Sequence, residues 1–175
     1  MVASLDGFIA KKDGSISWLE TTDSYEKGVA GENAEEFMKT IDCFVMGSRT
    51  YEHALELSAT FGWPYGDVPT IVLTHRNLRA LSESIEFHSG GPKELVDDLL
   101  KRNYRNIWLV GGAAVVKDFI RLQLAHDIRL SIVPILLGDG TPFFDHVEQE
   151  QRLHLKDVMA YKNGMVELWY EIRKD

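Results

Sequence analysis

The sequence predicts an α/β fold of three layers: a mostly parallel mixed sheet covered on both sides by helices and closed by a C-terminal antiparallel hairpin. Three observations carry this. Short apolar runs alternate with stretches of helical periodicity. Two of those runs end in glycine where a helical stretch begins. The C-terminal segment then switches to a two-residue alternation around a turn. A β–α–β–α order argues for parallel strands with helices packed against them.

The runs 43–46, 70–73, 106–110 and 128–137 are short, apolar and rich in β-formers, as expected of strands buried on both faces. Between them, 32–41 places Ala34, Phe37, Met38 and Ile41 on one face of a helix. The stretch 92–103 opens with Pro92, which loses no hydrogen bond at a helix start, and puts Leu95, Val96, Leu99 and Leu100 on one side. Val115, Val116, Phe119, Ile120 and Leu122 define a further helical face. At the end of the chain, 153–161 and 165–173 flank the turn-forming Lys162-Asn163-Gly164 and read as a hairpin.

The chain has 175 residues, 45% of them apolar, so one domain over 1–175 can bury a full core. Its single cysteine, Cys43, excludes an internal disulfide. Neither a secretory signal nor a long apolar run is legible, so a cytoplasmic protein with no membrane partner is expected. A formal net charge of −8 repels a phosphate backbone, which makes nucleic acid a poor partner. The six histidines show no paired ligand spacing, and no metal is expected. There is no Gly-x-Ser-x-Gly elbow for a serine nucleophile.

The chemistry concentrates at two strand ends. Gly47-Ser48-Arg49-Thr50 and Gly111-Gly112-Ala113-Ala114 each run from a strand into a helix. A helix N-terminus presents unpaired N–H groups and partial positive charge, so each turn suits a phosphate. The same glycines also suit a tight strand–helix junction. The dinucleotide fingerprint and the Gly-Lys-Ser/Thr loop are both missing, so a nucleotide here is not held by either standard device.

Six motifs stand in one order: Ser4-Leu5-Asp6-Gly7-Phe8-Ile9-Ala10, Trp18, Val45 to Glu52, Val72-Leu73-Thr74-His75-Arg76, Val110-Gly111-Gly112-Ala113, and Pro134 to Gly140. Together they resemble the dihydrofolate-reductase-like superfamily, and within it the reductase domain of the riboflavin-biosynthesis deaminase–reductase. The resemblance covers nearly the whole chain. One departure is that only Met1, Val2 and Ala3 precede the first motif, so the first strand is expected to be short.

The resemblance implies NADPH as hydride donor. It places Gly47, Ser48, Arg49 and Thr50 at the pyrophosphate region, and Thr74, His75 and Arg76 around the adenosine 2′-phosphate. Gly111, Gly112, Ala113 and Ala114 fall against the diphosphate and nicotinamide ribose, with a cis peptide between the two glycines. The backbone of Val2 and Ala3 falls at the nicotinamide carboxamide. Arg49 and Arg76 are the cations at strand ends that can offset the cofactor's charge.

For the proton that must accompany the hydride, the resemblance points to an acid on the first helix. Glu32 is the nearest candidate, with Glu35 and Glu36 as rivals; Asp6 and water are the other sources. Asp6 next to Gly7 equally reads as a turn-former. Ser4, Trp18 and Ser131 fall at the substrate, Trp18 also reading as core. The implied activity is reduction of a small heterocyclic substrate, with a ribosylaminopyrimidine phosphate the leading case. Dihydrofolate reduction and a non-catalytic nucleotide-binding module are the alternatives. Relatives often dimerise, so a homodimer is implied; Trp108, Trp169 and Tyr170 suit an interface or a core. Phe61, Trp63 and Tyr65 in 58–68 form either a lid or an apolar loop that packs down.

Overall fold

A computed structural model describes residues 1–20, 23–30, 37–144 and 147–174. The chain forms two compact units, one from 33–124 and the other from 1–32 with 125–175.

The unit 33–124 is built on four parallel strands in the order β5-β4-β3-β6. These are β3 (Cys43–Gly47), β4 (Thr70–Leu73), β5 (Ile85–His88) and β6 (Ile107–Gly111). Helix α1 (Ser48–Phe61) follows β3, α2 spans 92–103 with a π-helical middle turn, and α3 (Ala113–Arg121) follows β6. Strand alternation decides which helix covers which face. Phe44 and Met46 point to a cluster containing Tyr51 of α1, while a Cβ on Gly47, on the opposite face, would meet Val115 of α3. Helices therefore cover both faces, and every residue of β3 is buried. Helix α1 ends where Gly62 takes φ 79°, its N–H closing on the Ser58 carbonyl at 3.0 Å.

The other unit holds β1 (Val2–Ser4), β7 (Asp127–Val133), β10 (Val166–Ile172) and β9 (Leu153–Ala160) in that spatial order. β1 runs parallel to β7, and β10 antiparallel to both β7 and β9. A short ribbon joins β2 (Phe8–Ala10) to β8 (Thr141–Pro142). The expected C-terminal hairpin is present, turning where Gly164 takes φ 79°.

One sequence expectation shifts. The strand expected at 128–137 stops at Val133, because Pro134 has no N–H to continue the ladder. β5, where only Ile85 and Phe87 are apolar, and the β2–β8 ribbon, two to three residues a strand, are not legible in the sequence. Of the helix expected at 32–41, residues 32–36 lie outside the described residues, 37–38 are helical and 39–40 form a turn. Among the described residues no helix is long and apolar enough to cross a membrane.

Candidate functional site

Within the unit 33–124, the C-terminal ends of β4, β3 and β6 stand side by side: Gly47 pairs with Leu73, and Met46 with Gly111. The expected cofactor residues of this unit are thereby brought to one edge of the sheet. Helices α1 and α3 start from neighbouring strands with Gly47 and Gly112 as their N-cap residues, and neither has a side-chain cap. Their first-turn N–H groups are left as donors for an anion. Ser48 and Thr50 lie half-buried in the first turn of α1, Ala113 half-buried and Ala114 exposed in that of α3.

Close backbone approach explains the glycines. A Cβ on Gly47 would come within 2.9 Å of Val115 Cγ2, and one on Gly112 within 3.2 Å of Thr50 Oγ1. The expected cis peptide between Gly111 and Gly112 is present, and Gly111 takes φ 131°, which favours glycine.

After β4 the chain is arranged by Thr74. Its N–H donates to the His88 carbonyl at 2.9 Å, and its Oγ1 accepts from the Arg76 N–H at 3.0 Å. The Thr74 hydroxyl keeps its own proton to donate. His75 and Arg76 are exposed. The Arg76 guanidinium grips Glu52 of α1 end-on, Nη1 to Oε2 at 2.8 Å and Nη2 to Oε1 at 2.6 Å. That hydrogen bonding holds the Glu52 carboxyl below the usual carboxylate range and raises Arg76. Arg49 is exposed and makes no ion pair among the described residues.

Glu52 is the residue that sequence reasoning missed. It stands in a quoted motif, but no spacing rule joins it to a partner 24 positions later. Only the pairing of β3 with β4 sets the start of α1 beside the end of β4.

In the other unit, Val2 and Ala3 lie on β1, in register with Ser131 and Ile132 of β7. Ser4 and Asp6 are joined within one turn. The Ser4 hydroxyl donates to Asp6 Oδ1 at 2.6 Å and accepts from the Phe8 N–H at 3.0 Å, so it is committed to its own turn. Asp6 also accepts from the N–H groups of Leu137 at 3.1 Å and Gly138 at 2.7 Å. These bonds, the Ser4 hydroxyl first, hold its carboxyl below the ordinary range. A general acid needs the opposite shift. Asp6 is thus held as a clamp between two turns, the turn-forming one of its two expected readings. Glu32, Glu35 and Glu36 lie outside the described residues.

Ser131 does not present a free hydroxyl: it donates to Glu167 Oε2 at 3.3 Å, and Glu167 Oε1 accepts from Arg129 at 2.6 Å. Trp18 is buried in a short 3₁₀ turn, and its indole N–H has no partner among the described residues. Trp108 belongs to the core of its own unit, packed on Phe37 and Phe44. Trp169 lies between the Arg129 guanidinium, 5.0 Å from its ring, and the Lys156 ammonium at 4.2 Å. Trp63 and Tyr65 pack down onto Tyr51 and Phe44, while Phe61 stays exposed. The segment thus begins as the last turn of α1 and continues from 62 as an apolar loop packed on the core of its own unit.

The comparisons agree with this architecture. The RibD C-terminal domain model matches residues 1–167. The Bacillus subtilis protein YwjB is 34% identical over 97% of this chain and 94% of its own. A protein from Shewanella sp. PV-4 assigned to riboflavin biosynthesis superposes with a TM-score of 0.84 at 23% identity, covering 99% of this chain and 97% of its own. The Thermotoga maritima deaminase/5-amino-6-(5-phosphoribosylamino)uracil reductase superposes with a TM-score of 0.67 at 13% identity, over 98% of this chain and 55% of its own. With the glycine turns, the parallel sheet and the C-terminal hairpin all in place, this chain belongs to the RibD C-terminal domain family, whose fold is that of the dihydrofolate-reductase-like reductases.

Proposed function

We propose that the protein is an NADPH-dependent reductase of a small heterocyclic substrate, with a ribosylaminopyrimidine phosphate as the leading case. The observation that carries the reading is the single sheet edge where two uncapped helix N-termini, the hydroxyls of Ser48 and Thr50, and the Thr74–Arg76 turn come together. This donor set fits a dinucleotide phosphate. The α1 and α3 N–H groups would hold the diphosphate, with Arg49 free to screen it, and Thr74 and Arg76 the 2′-phosphate. When bound, the nicotinamide supplies the hydride, and the chain's task is alignment. With Asp6 committed to its clamp, Glu32 or water supplies the proton.

The test is oxidation of NADPH, followed at 340 nm, with a ribosylaminopyrimidine phosphate and with dihydrofolate as separate substrates. Turnover with the first is expected. Dinucleotide binding without oxidation of NADPH in the presence of either substrate would overturn the enzymatic reading in favour of a binding module. We also propose a homodimer, which exposed Leu155 and Val158 on edge strand β9 favour. Sedimentation showing only monomer would refute it.

A further inference from the structure

No acidic residue follows the 70–73 strand in sequence until Glu83, which makes the turn look selective for a phosphate dianion. The fold supplies an acid from a different element. Glu52, in the second turn of α1, occupies both Nη atoms of Arg76. We propose that Glu52 sets cofactor selectivity: its carboxylate holds Arg76 in the place of a 2′-phosphate and lets the site accept NADH as well as NADPH. This rests on the dinucleotide reading above and deepens it.

The argument is one of differences, since selectivity is the gap between two affinities. The end-on edge of the guanidinium is the one suited to a bidentate phosphate, and Glu52 already holds it. An NADPH phosphate must therefore displace the carboxylate or approach Arg76 with that negative charge alongside. Either route penalises the dianion. A 2′-hydroxyl pays no such penalty, because a carboxylate in this position can accept its hydrogen bond, as acidic residues do in NAD-binding folds. The pair is partly exposed, 56% for the Arg76 side chain and 39% for Glu52, so displacement is cheap and salt-sensitive.

The experiment is a double-mutant cycle on dissociation constants, read by quenching of intrinsic tryptophan fluorescence. NADPH and NADH are titrated into the wild type, Glu52→Gln, Arg76→Ala and the double variant, at low and high salt. Thermal melts of each apo protein confirm folding. Glu52→Gln is expected to tighten NADPH about fivefold, the scale of an exposed ion pair, and to leave NADH unchanged or weaker. The gain should shrink at high salt and vanish in the Arg76→Ala background.

Unchanged or weaker NADPH binding by folded Glu52→Gln would overturn the proposal alone, showing that Glu52 is neutral or positions Arg76 for the phosphate. Arg76→Ala without effect on either cofactor would move the 2′-phosphate elsewhere and overturn the proposal while leaving the dinucleotide site standing. Failure of the wild type to bind either cofactor would overturn the dinucleotide reading and this inference with it.

Discussion

Thr50 and Gly112 face each other so closely that a Cβ on the glycine would lie 3.2 Å from the threonine Oγ1. The entry to α3 is therefore built against the first turn of α1. A methyl group requires the neighbour to give by a few tenths of an ångström. Gly112 itself has φ −77°, which any residue adopts, so Gly112→Ala should fold. Gly112→Val adds branches to the same gap and should cost roughly 1–3 kcal/mol by overpacking. Both should weaken NADPH at least about tenfold, since the added atoms stand where the backbone must approach the anion. Fluorescence titration on variants shown to be folded by thermal melt decides this. Unchanged affinity would remove the turn from the site.

What was legible in the sequence is what local chemistry dictates. Glycine at the junction of an apolar run and a helical face marked both turns, and Lys162-Asn163-Gly164 between alternating runs marked the hairpin. What was not legible depends on which distant residues the sheet brings together. Asp6 reads equally as acid or turn-former in the sequence, and only the fold brings the Leu137 and Gly138 N–H groups to it from 131 and 132 positions away. Arg76 read as a free cation because α1, which carries its partner, lies across a strand crossover.

The clamp at Asp6 makes a prediction that separates structure from catalysis. Its carboxyl titrates below its ordinary value, so the folded state binds its proton more weakly than the unfolded state does. The stabilisation is present above the unfolded value and lost as pH falls through the folded one. Asp6→Asn should lower Tm at pH 7, and the gap to wild type should close below about pH 4. Turnover should fall far less than the 10²–10⁴-fold typical of a lost general acid. A loss of that full size with Tm unchanged would restore Asp6 as the proton donor.

Tyr51 ties α1 to the segment that follows the Thr74–Arg76 turn. Its ring is fully buried, its hydroxyl donates to the Arg79 carbonyl at 2.8 Å, and it accepts from the Leu81 N–H at 3.2 Å. Tyr51→Phe leaves both backbone groups without that partner, which should cost about 1–3 kcal/mol by urea denaturation. NADPH affinity should weaken more than NADH affinity, because the loosened 79–81 segment anchors the turn that carries Arg76. Equal stability in the two proteins would mean that water replaces the hydroxyl.

The Arg76 side chain supplies the last prediction, and the Glu52 pair changes its expected size. An unpaired arginine gripping the phosphate would discriminate NADPH from NADH by roughly ten- to a hundredfold per contact. Here the exposed ion pair with Glu52 competes for the same nitrogens, which offsets part of that gain. Arg76→Ala should therefore weaken NADPH by about tenfold rather than a hundredfold, with NADH nearly untouched. Arg76→Lys keeps the charge but loses the planar fork, and should retain only part of the preference. The salt dependence separates the two contributions. The charge term common to Arg and Lys fades at high ionic strength, while the geometric advantage of Arg over Lys persists. Dissociation constants for both cofactors at two salt concentrations measure each part. Equal losses for NADPH and NADH in either variant would mean that Arg76 serves the diphosphate or the fold instead of the 2′-position.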